Sequence, residues 1–285
     1  MTDTVLRADA VTRRFGSLTA VDAVSMDVGR GEVVGLLGAN GAGKTTLIRM
    51  LLGLVATSQG RVEVLGGAPD RAHRRRLGYV PQNLGLYTDL TVAENLAFVA
   101  GAYGVATPSL DNDLARYSDV LVGDLPLGAQ RQVAFVAALS HRPEVLLLDE
   151  PTSGVDALSR ALLWDTIRER SDDGVGVLVT THYMQEAQQC DRLLLMAAGQ
   201  LVAQGSVSDI VGTTTAVAVH ARDWAAAFAA LNAAGQPVIL AGRDVRVADA
   251  APDAVRESLA RAGIEATVES VPATIEERML VLARR

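Results

Sequence analysis

The sequence predicts an α/β domain on a largely parallel sheet, followed by a small α+β unit. Short apolar runs suited to buried strands alternate with helical stretches over most of the chain, the order that builds a parallel sheet. Residues 5–30 instead alternate apolar with polar side chains, which reads as antiparallel strands. From about Gly212 the texture changes again, to strands and helices in the order β-α-β-β-α-β.

Taken in order, Val5–Ala8 and Ala20–Met26 alternate around a turn near Gly16. Glu32–Leu37 is a short apolar strand, and Thr45–Leu52 has helical spacing. Arg61–Leu65 is a strand stopped by Gly66-Gly67, and Leu77–Gln82 is a short strand running into a loop. A helix is expected over Thr91–Gly101, where Thr91 and Glu94 form a capping box. Residues 110–124 are polar and poorly periodic, and residues 129–141 form an Ala-rich helix. The apolar strand Val145–Leu148 ends in Asp149-Glu150. Ala157–Arg170 is helical, Val175–Thr180 a buried strand and Met184–Cys190 helical, before strands Arg192–Met196 and Gln200–Ala203 close the main domain. Beyond it, strands at 217–220, 238–240, 244–247 and 266–271 and helices at 223–234 and 252–262 give a ferredoxin-like order. Thr274–Leu282 is a last helix.

Size and charge narrow the function classes. The chain has 285 residues and a formal net charge of -7, with a pI of about 5.2. That balance offers no basic surface for tracking nucleic acid, so no nucleic-acid partner is expected. A single cysteine, Cys190, excludes an intrachain disulfide and a cysteine metal cluster, and a reducing interior is the default. No apolar run approaches the ~18 residues that cross a bilayer, and Met1-Thr2-Asp3-Thr4 shows no signal-peptide pattern. The protein is therefore expected to be soluble by itself. A mean hydropathy of +0.22 is mildly apolar for such a chain and points to surface covered by a partner.

Among 26 Lys plus Arg residues only Lys44 is a lysine. It sits in Gly38-Ala39-Asn40-Gly41-Ala42-Gly43-Lys44-Thr45, which fits G-x-x-x-x-G-K-[ST], the phosphate-binding loop of the P-loop nucleotidases. A guanidinium is a wide planar fork, and only a compact ammonium fits between the β- and γ-phosphates inside the curl of such a loop. The apolar strand before the loop and the helix after it aim backbone N–H groups and a positive helix end at phosphate. Thr46 joins this nucleotide-binding run, and the Thr45 hydroxyl faces Mg²⁺.

Beyond the loop, Gln82, Asp149-Glu150 with residues 151–156, and Thr180-Thr181-His182 follow in a recognisable order and spacing. Over roughly residues 5–210 the chain resembles the nucleotide-binding subunits of ABC transporters. The resemblance implies an ABC-type P-loop ATPase domain over residues 1–211, with a mixed sheet, antiparallel N-terminal strands and a short helical subdomain at about 83–140. The ferredoxin-like domain then covers residues 212–285. It implies ATP and Mg²⁺ as ligands, with Asp149 holding the metal, Glu150 as general base, and His182 touching the γ-phosphate and the attacking water beside Lys44. Gln82 resembles the glutamine that contacts Mg²⁺ and water and couples the site to a membrane partner. Phe15, 23 residues before Gly38, occupies the place of an aromatic that stacks on adenine, for which a π face suffices. His73, His141 and His220 have no such context and read as structural.

One segment departs from the family pattern. Where L-S-G-G-Q is usual, this chain has Leu125-Pro126-Leu127-Gly128-Ala129. Pro126 has neither hydroxyl nor N–H, and Leu127 narrows access. Gly128 and the helix start behind it are left to attract the phosphate of ATP held by an opposite subunit. Each charge-assisted hydrogen bond lost costs about 1.5–3 kcal/mol. Either the subunit tolerates the change, as in an export-type subgroup carrying L-P-L-G, or the site it completes is slow. Slow but real hydrolysis is expected, since Glu150 and His182 are intact. The stretch between Gln82 and Leu125 is also shorter than the family's usual helical subdomain.

The resemblance implies an ATPase subunit that powers transport, in the manner of ABC-2 drug exporters to judge by residues 150–156 and 272–277. Two ATPase subunits, identical or different, would sandwich two ATP molecules and drive an integral-membrane permease from the cytoplasmic, inner face of the cell membrane. The competing class is a soluble ABC ATPase acting on ribosomes or DNA. Such proteins often carry two nucleotide domains or a long coiled coil, and the chain shows neither. The C-terminal domain reads as a regulatory or dimer-contact module, or as a stabiliser of the main domain.

Overall fold

The structure is a computed structural model that describes residues 3–110, 112–181 and 183–282. The chain divides into two compact units, Met1–Leu201 and Val202–Arg285. In the first, strands β1 (Thr4–Phe15) and β2 (Leu18–Gly29) pair antiparallel around Gly16, whose φ of +58° suits the tight turn. β3 (Val33–Leu37) is buried at every residue, as an apolar run inside a parallel sheet must be. It leads into α1 (Lys44–Leu51), after which β4 (Gln59–Val64) pairs with the free side of β1. A four-residue helix, α2 (Arg71–Arg74), capped by Asp70, precedes β5 (Leu77–Val80).

The next segment builds the helical part. α3 (Val92–Tyr103) begins at the expected capping box of Thr91 and Glu94. α4 (Asn112–Ala115) is a single turn, and α5 (Leu127–Leu139) starts two residues before the expected helix because Pro126 serves as its N-cap. The stretch expected to be polar and irregular is part of a core. Leu114 and Val122 of it, and Leu125 just beyond it, are buried with Val92 and Leu96 of α3 and Val133 and Ala137 of α5. Isolated apolar residues on one-turn helices have no period to reveal them, and tertiary packing decides their burial.

β6 (Val145–Asp149), α6 (Ala157–Asp172), β7 (Gly176–Thr181), α7 (Met184–Ala187), β8 (Arg192–Ala197) and β9 (Gln200–Gly205) follow. α7 stops three residues before the expected end at Cys190. Strands order β2-β1-β4 in one sheet and β5-β6-β7-β3-β8-β9 in the other, with β5, β6, β7, β3 and β8 parallel. Leu37 pairs with Thr181, and Asp149 with Thr180. The carboxyl ends of β3, β6 and β7 therefore lie side by side, where open α/β sheets bind ligands.

The second unit contains α8 (Val207–Val211), β10 (Thr215–Ala221), α9 (Trp224–Ala233), β11 (Val238–Ala241), β12 (Asp244–Ala248), α10 (Pro252–Arg261), β13 (Ala266–Pro272) and α11 (Ile275–Leu282). Its sheet runs β11-β12-β10-β13 with antiparallel neighbours, the order the β-α-β-β-α-β pattern predicts. Val217, Val219, Val245 and Val247 pack against Ala227 and Leu231 of α9 and Val255 and Leu259 of α10. Arg246 of β12 fastens α11 through a bidentate pair with the fully buried Glu277, at 2.5 and 3.1 Å.

Candidate functional site

Residues 38–43 leave β3 and enter α1 through a loop whose shape requires glycine. Gly41 and Gly43 hold φ of +82° and +102°. A Cβ on Gly38 would stand 2.4 Å from the Met196 carbonyl oxygen, and one on Gly43 2.3 Å from that of Ala20. The turn between β8 and β9 seals the loop from one side, the Gly199 N–H donating to the Ala42 carbonyl at 3.1 Å. α1 starts with no side-chain cap and no acidic residue in its first turn, which leaves its amides and dipole to an anion. Lys44 folds back over the loop. Its Nζ donates to the carbonyls of Gly38 (2.8 Å) and Ala39 (3.2 Å), and only 5% of the residue is exposed. Burial pushes the ammonium pKa down, and Glu150 and then Asp149 push it back.

The neighbouring strand ends supply carboxylates. Thr45 Oγ1 donates to Asp149 Oδ2 at 2.8 Å, and Thr180 Oγ1 donates to Asp149 Oδ1 at 2.7 Å while accepting the Glu150 N–H at 2.9 Å. Glu150 Oε1 stands 3.8 Å from Lys44 Nζ, and Gln82 Nε2 donates to its Oε2 at 3.2 Å. Asp149 and Glu150 are both buried. The Thr45 hydroxyl and the Asp149 carboxylate are hard oxygen donors that fit Mg²⁺, a cation that takes one or two protein oxygens and completes its shell with phosphate and water. Among the described residues no group of three His, Cys, Asp or Glu is placed to hold a metal without such help.

A cleft of about 690 Å³ opens over these groups, a volume suited to a small-molecule ligand. Phe15, Leu18, Thr19, Ala20, residues 40–46, Gln82, Glu150, Ala198 and Gly199 line it. Phe15 stands at its mouth, 45% exposed, with the Arg13 guanidinium 4.4 Å from its ring centroid. Gly38 and Ala39 contribute the carbonyls behind Lys44, while Asp149 faces an adjoining cleft of about 340 Å³ shared with Thr45, Gln82 and Arg49. Gly128 does not line either cleft. It lies at the start of α5 against the start of α6, where an added Cβ would meet Ser159 Oγ at 2.4 Å.

His182 lies outside the described residues; beside it, Thr181 Oγ1 accepts the Tyr183 N–H at 2.9 Å. The other histidines make local contacts away from the cleft. His73 bonds Asp70, His141 bonds the Leu77 carbonyl and stacks on Tyr103, and His220 sits between Asp244 and Glu269. Two roles escaped the sequence reading, although Thr180 belongs to the run that ends in His182. Thr180 bridges the paired acids, and the buried Arg131 on α5 donates through Nη2 to the Ser153 carbonyl at 3.0 Å. A threonine ending a strand and an arginine within a helix carry no local signal for either task.

The pattern of the ABC transporter family matches residues 21–153. The chain is 40% identical over 220 residues to the probable multidrug ABC transporter ATP-binding protein YbhF of Escherichia coli (strain K12), covering 73% of this chain and 38% of that protein. It is 38% identical over 226 residues to the Nod factor export ATP-binding protein I of Paraburkholderia xenovorans (strain LB400), covering 75% of this chain and 74% of that one. Among solved structures, an ATP-binding subunit of an ABC transporter superposes with a TM-score of 0.66 at 28% identity, over 72% of this chain and 91% of its own. The cbiO1 protein of Clostridium perfringens, part of the ABC transporter complex cbiONQ, gives 0.62 at 26% identity, over 73% and 90%. The chain thus spans well under half the length of the first relative and about three quarters of the second. Among the described residues no helix is long and apolar enough to cross a membrane. On this likeness, which runs through the glycine loop and both carboxylate-bearing residues, the chain belongs to the ATP-binding proteins of ABC transporters.

Proposed function

We propose that the chain hydrolyses ATP and that the hydrolysis drives export through a separate integral-membrane permease. The observation that carries this is the position of Glu150, at the floor of the cleft, 3.8 Å from Lys44 and beside the Thr45–Asp149 pair. Lys44 neutralises the β- and γ-phosphates, the α1 amides bind them, and Phe15 stacks on adenine. Glu150 takes the proton of the attacking water, with His182 contacting that water and the γ-phosphate. Thr45 and Asp149, with Gln82 beside them, would hold Mg²⁺, which would supply neutralisation of phosphate charge. Gly128 lies away from this cleft, so its proposed contact is with ATP on a second ATPase subunit, either a copy or a different chain.

Export draws on the relatives' names, multidrug and Nod factor export ATP-binding proteins. The chain then works at the cytoplasmic, inner face of the membrane. The test is Glu150→Gln. Turnover is to fall by about 10²–10⁴-fold while MgATP affinity stays within about twofold. A variant that hydrolyses ATP at the wild-type rate ends this reading. Co-purification from membranes with a polytopic protein checks the permease.

A further inference from the structure

Glu150 keeps a backbone conformation that must be held in place. Its φ of +51° is uncommon for a residue with a Cβ, and such a residue persists where its surroundings over-determine it. Part of that restraint is local. The Glu150 N–H goes to Thr180, and its carbonyl accepts a long 3.3 Å bond from the Ser153 N–H. Pro151 follows directly, and its ring fixes φ, so whatever holds residue 152 is transmitted stiffly to residue 150.

Thr152 is held by a carboxylate outside the cleft. Its buried hydroxyl donates to Glu186 Oε1 at 2.5 Å. Glu186, on α7, is only 2% exposed, and Arg160 of α6 stands 3.7 Å from the same oxygen with its guanidinium over the Tyr183 ring. Glu186 Oε2 has no hydrogen-bond partner among the described residues. A carboxylate buried with so little compensation is a poor way to stabilise a fold. None of Thr152, Arg160 and Glu186 lines the cleft.

We infer that Glu186 is a positioning residue for hydrolysis: its buried carboxylate grips the Thr152 hydroxyl and, through Pro151, sets where the Glu150 carboxylate stands. This rests on the reading of Glu150 as the base. The carboxylate also ties the segment after β7 to the loop after β6, so one group fixes both against each other.

The experiment compares Thr152→Val, which keeps the shape and deletes the hydroxyl, with Thr152→Ser, which keeps the hydroxyl. Thr152→Val is to lower kcat for ATP by about tenfold or more, with KM and MgATP affinity within about twofold. Thr152→Ser is to stay within about twofold of wild type. Adding Glu186→Gln to Thr152→Val is to lower kcat no further than the larger single effect, because the pair acts as one unit. A crystal structure of Thr152→Val is to show Glu150 leaving the left-handed region. Wild-type kcat in Thr152→Val, losses that multiply, or an unmoved Glu150 in that structure would each overturn the inference. Glu150→Gln hydrolysing at the wild-type rate defeats the base assignment and this inference with it; Glu150→Gln inactive beside a fully active Thr152→Val defeats the positioning role alone.

Discussion

Replacing Gly43 by alanine asks whether backbone geometry makes the phosphate loop. The new Cβ would stand 2.3 Å from the Ala20 carbonyl oxygen and 3.1 Å from Met196 Cε, at a φ of +102°. The oxygen belongs to the backbone of β2 and cannot rotate away. Holding an L residue in that region costs about 1–3 kcal/mol, and the close approach about 1–3 kcal/mol more. Gly41 separates the two contributions, because its φ is +82° but nothing lies within 4 Å of an added Cβ. Gly41→Ala therefore carries the conformational cost alone. In a unit of this size 1 kcal/mol moves Tm by about 2–4 °C. At about 2–6 kcal/mol in all, Gly43→Ala is thus expected to melt roughly 4–24 °C below wild type, and Gly41→Ala about half as far. Calorimetry without nucleotide reads both, and a MgATP titration is to show the weaker binding in Gly43→Ala. Equal melting temperatures for the two variants, or wild-type Tm and affinity in Gly43→Ala, would refute the steric reading of the loop.

Thr45→Val removes the hydroxyl that donates to Asp149, and is expected to raise the Mg²⁺ needed for half-maximal turnover by about tenfold or more, read by metal titration at fixed ATP. In the second unit, His220 has its pKa raised above 6.5, first by its hydrogen bond to Asp244 and then by Glu269. A folded pKa above the unfolded one gives stabilisation that is full below pH 6.5 and lost as pH rises through the folded value. The melting temperature of this unit should therefore fall as pH climbs past 6.5, and His220→Ala should flatten that window in calorimetry across pH. Glu277→Ala strips Arg246 of its buried partner and is expected to cost about 3–5 kcal/mol, seen as a lower melting transition of the same unit.

The sequence carries the elements whose signal is long or chemically local. β3, β6 and β7 are buried at every residue, so their apolar runs need no tertiary information to be found. The capping box before α3 is a contact between residues three apart, and the glycines of the phosphate loop answer a backbone demand. α2 and α4, four residues each, offer no period to read. Leu114 and Val122 become core only because α3 and α5 close over them. In the site, the spacing of residues 38–46 and the acidic pair at the end of β6 are legible, and the structure brings Lys44, Thr45, Gln82, Asp149 and Glu150 together. Thr180, Arg131 and Glu186 act across 22 to 34 residues of chain, at distances no local pattern encodes.

Everything proposed for this cleft depends on one ammonium group, poised by the Gly38 and Ala39 carbonyls to meet a triphosphate. The most direct measurement is the MgATP affinity of Lys44→Ala by titration calorimetry, with circular dichroism confirming the fold. Losing one or two charge-assisted hydrogen bonds at about 1.5–3 kcal/mol each predicts an affinity at least about tenfold weaker for one bond, and at least about a hundredfold weaker if both bonds count. Undiminished binding would contradict the assignment of this loop as the phosphate site.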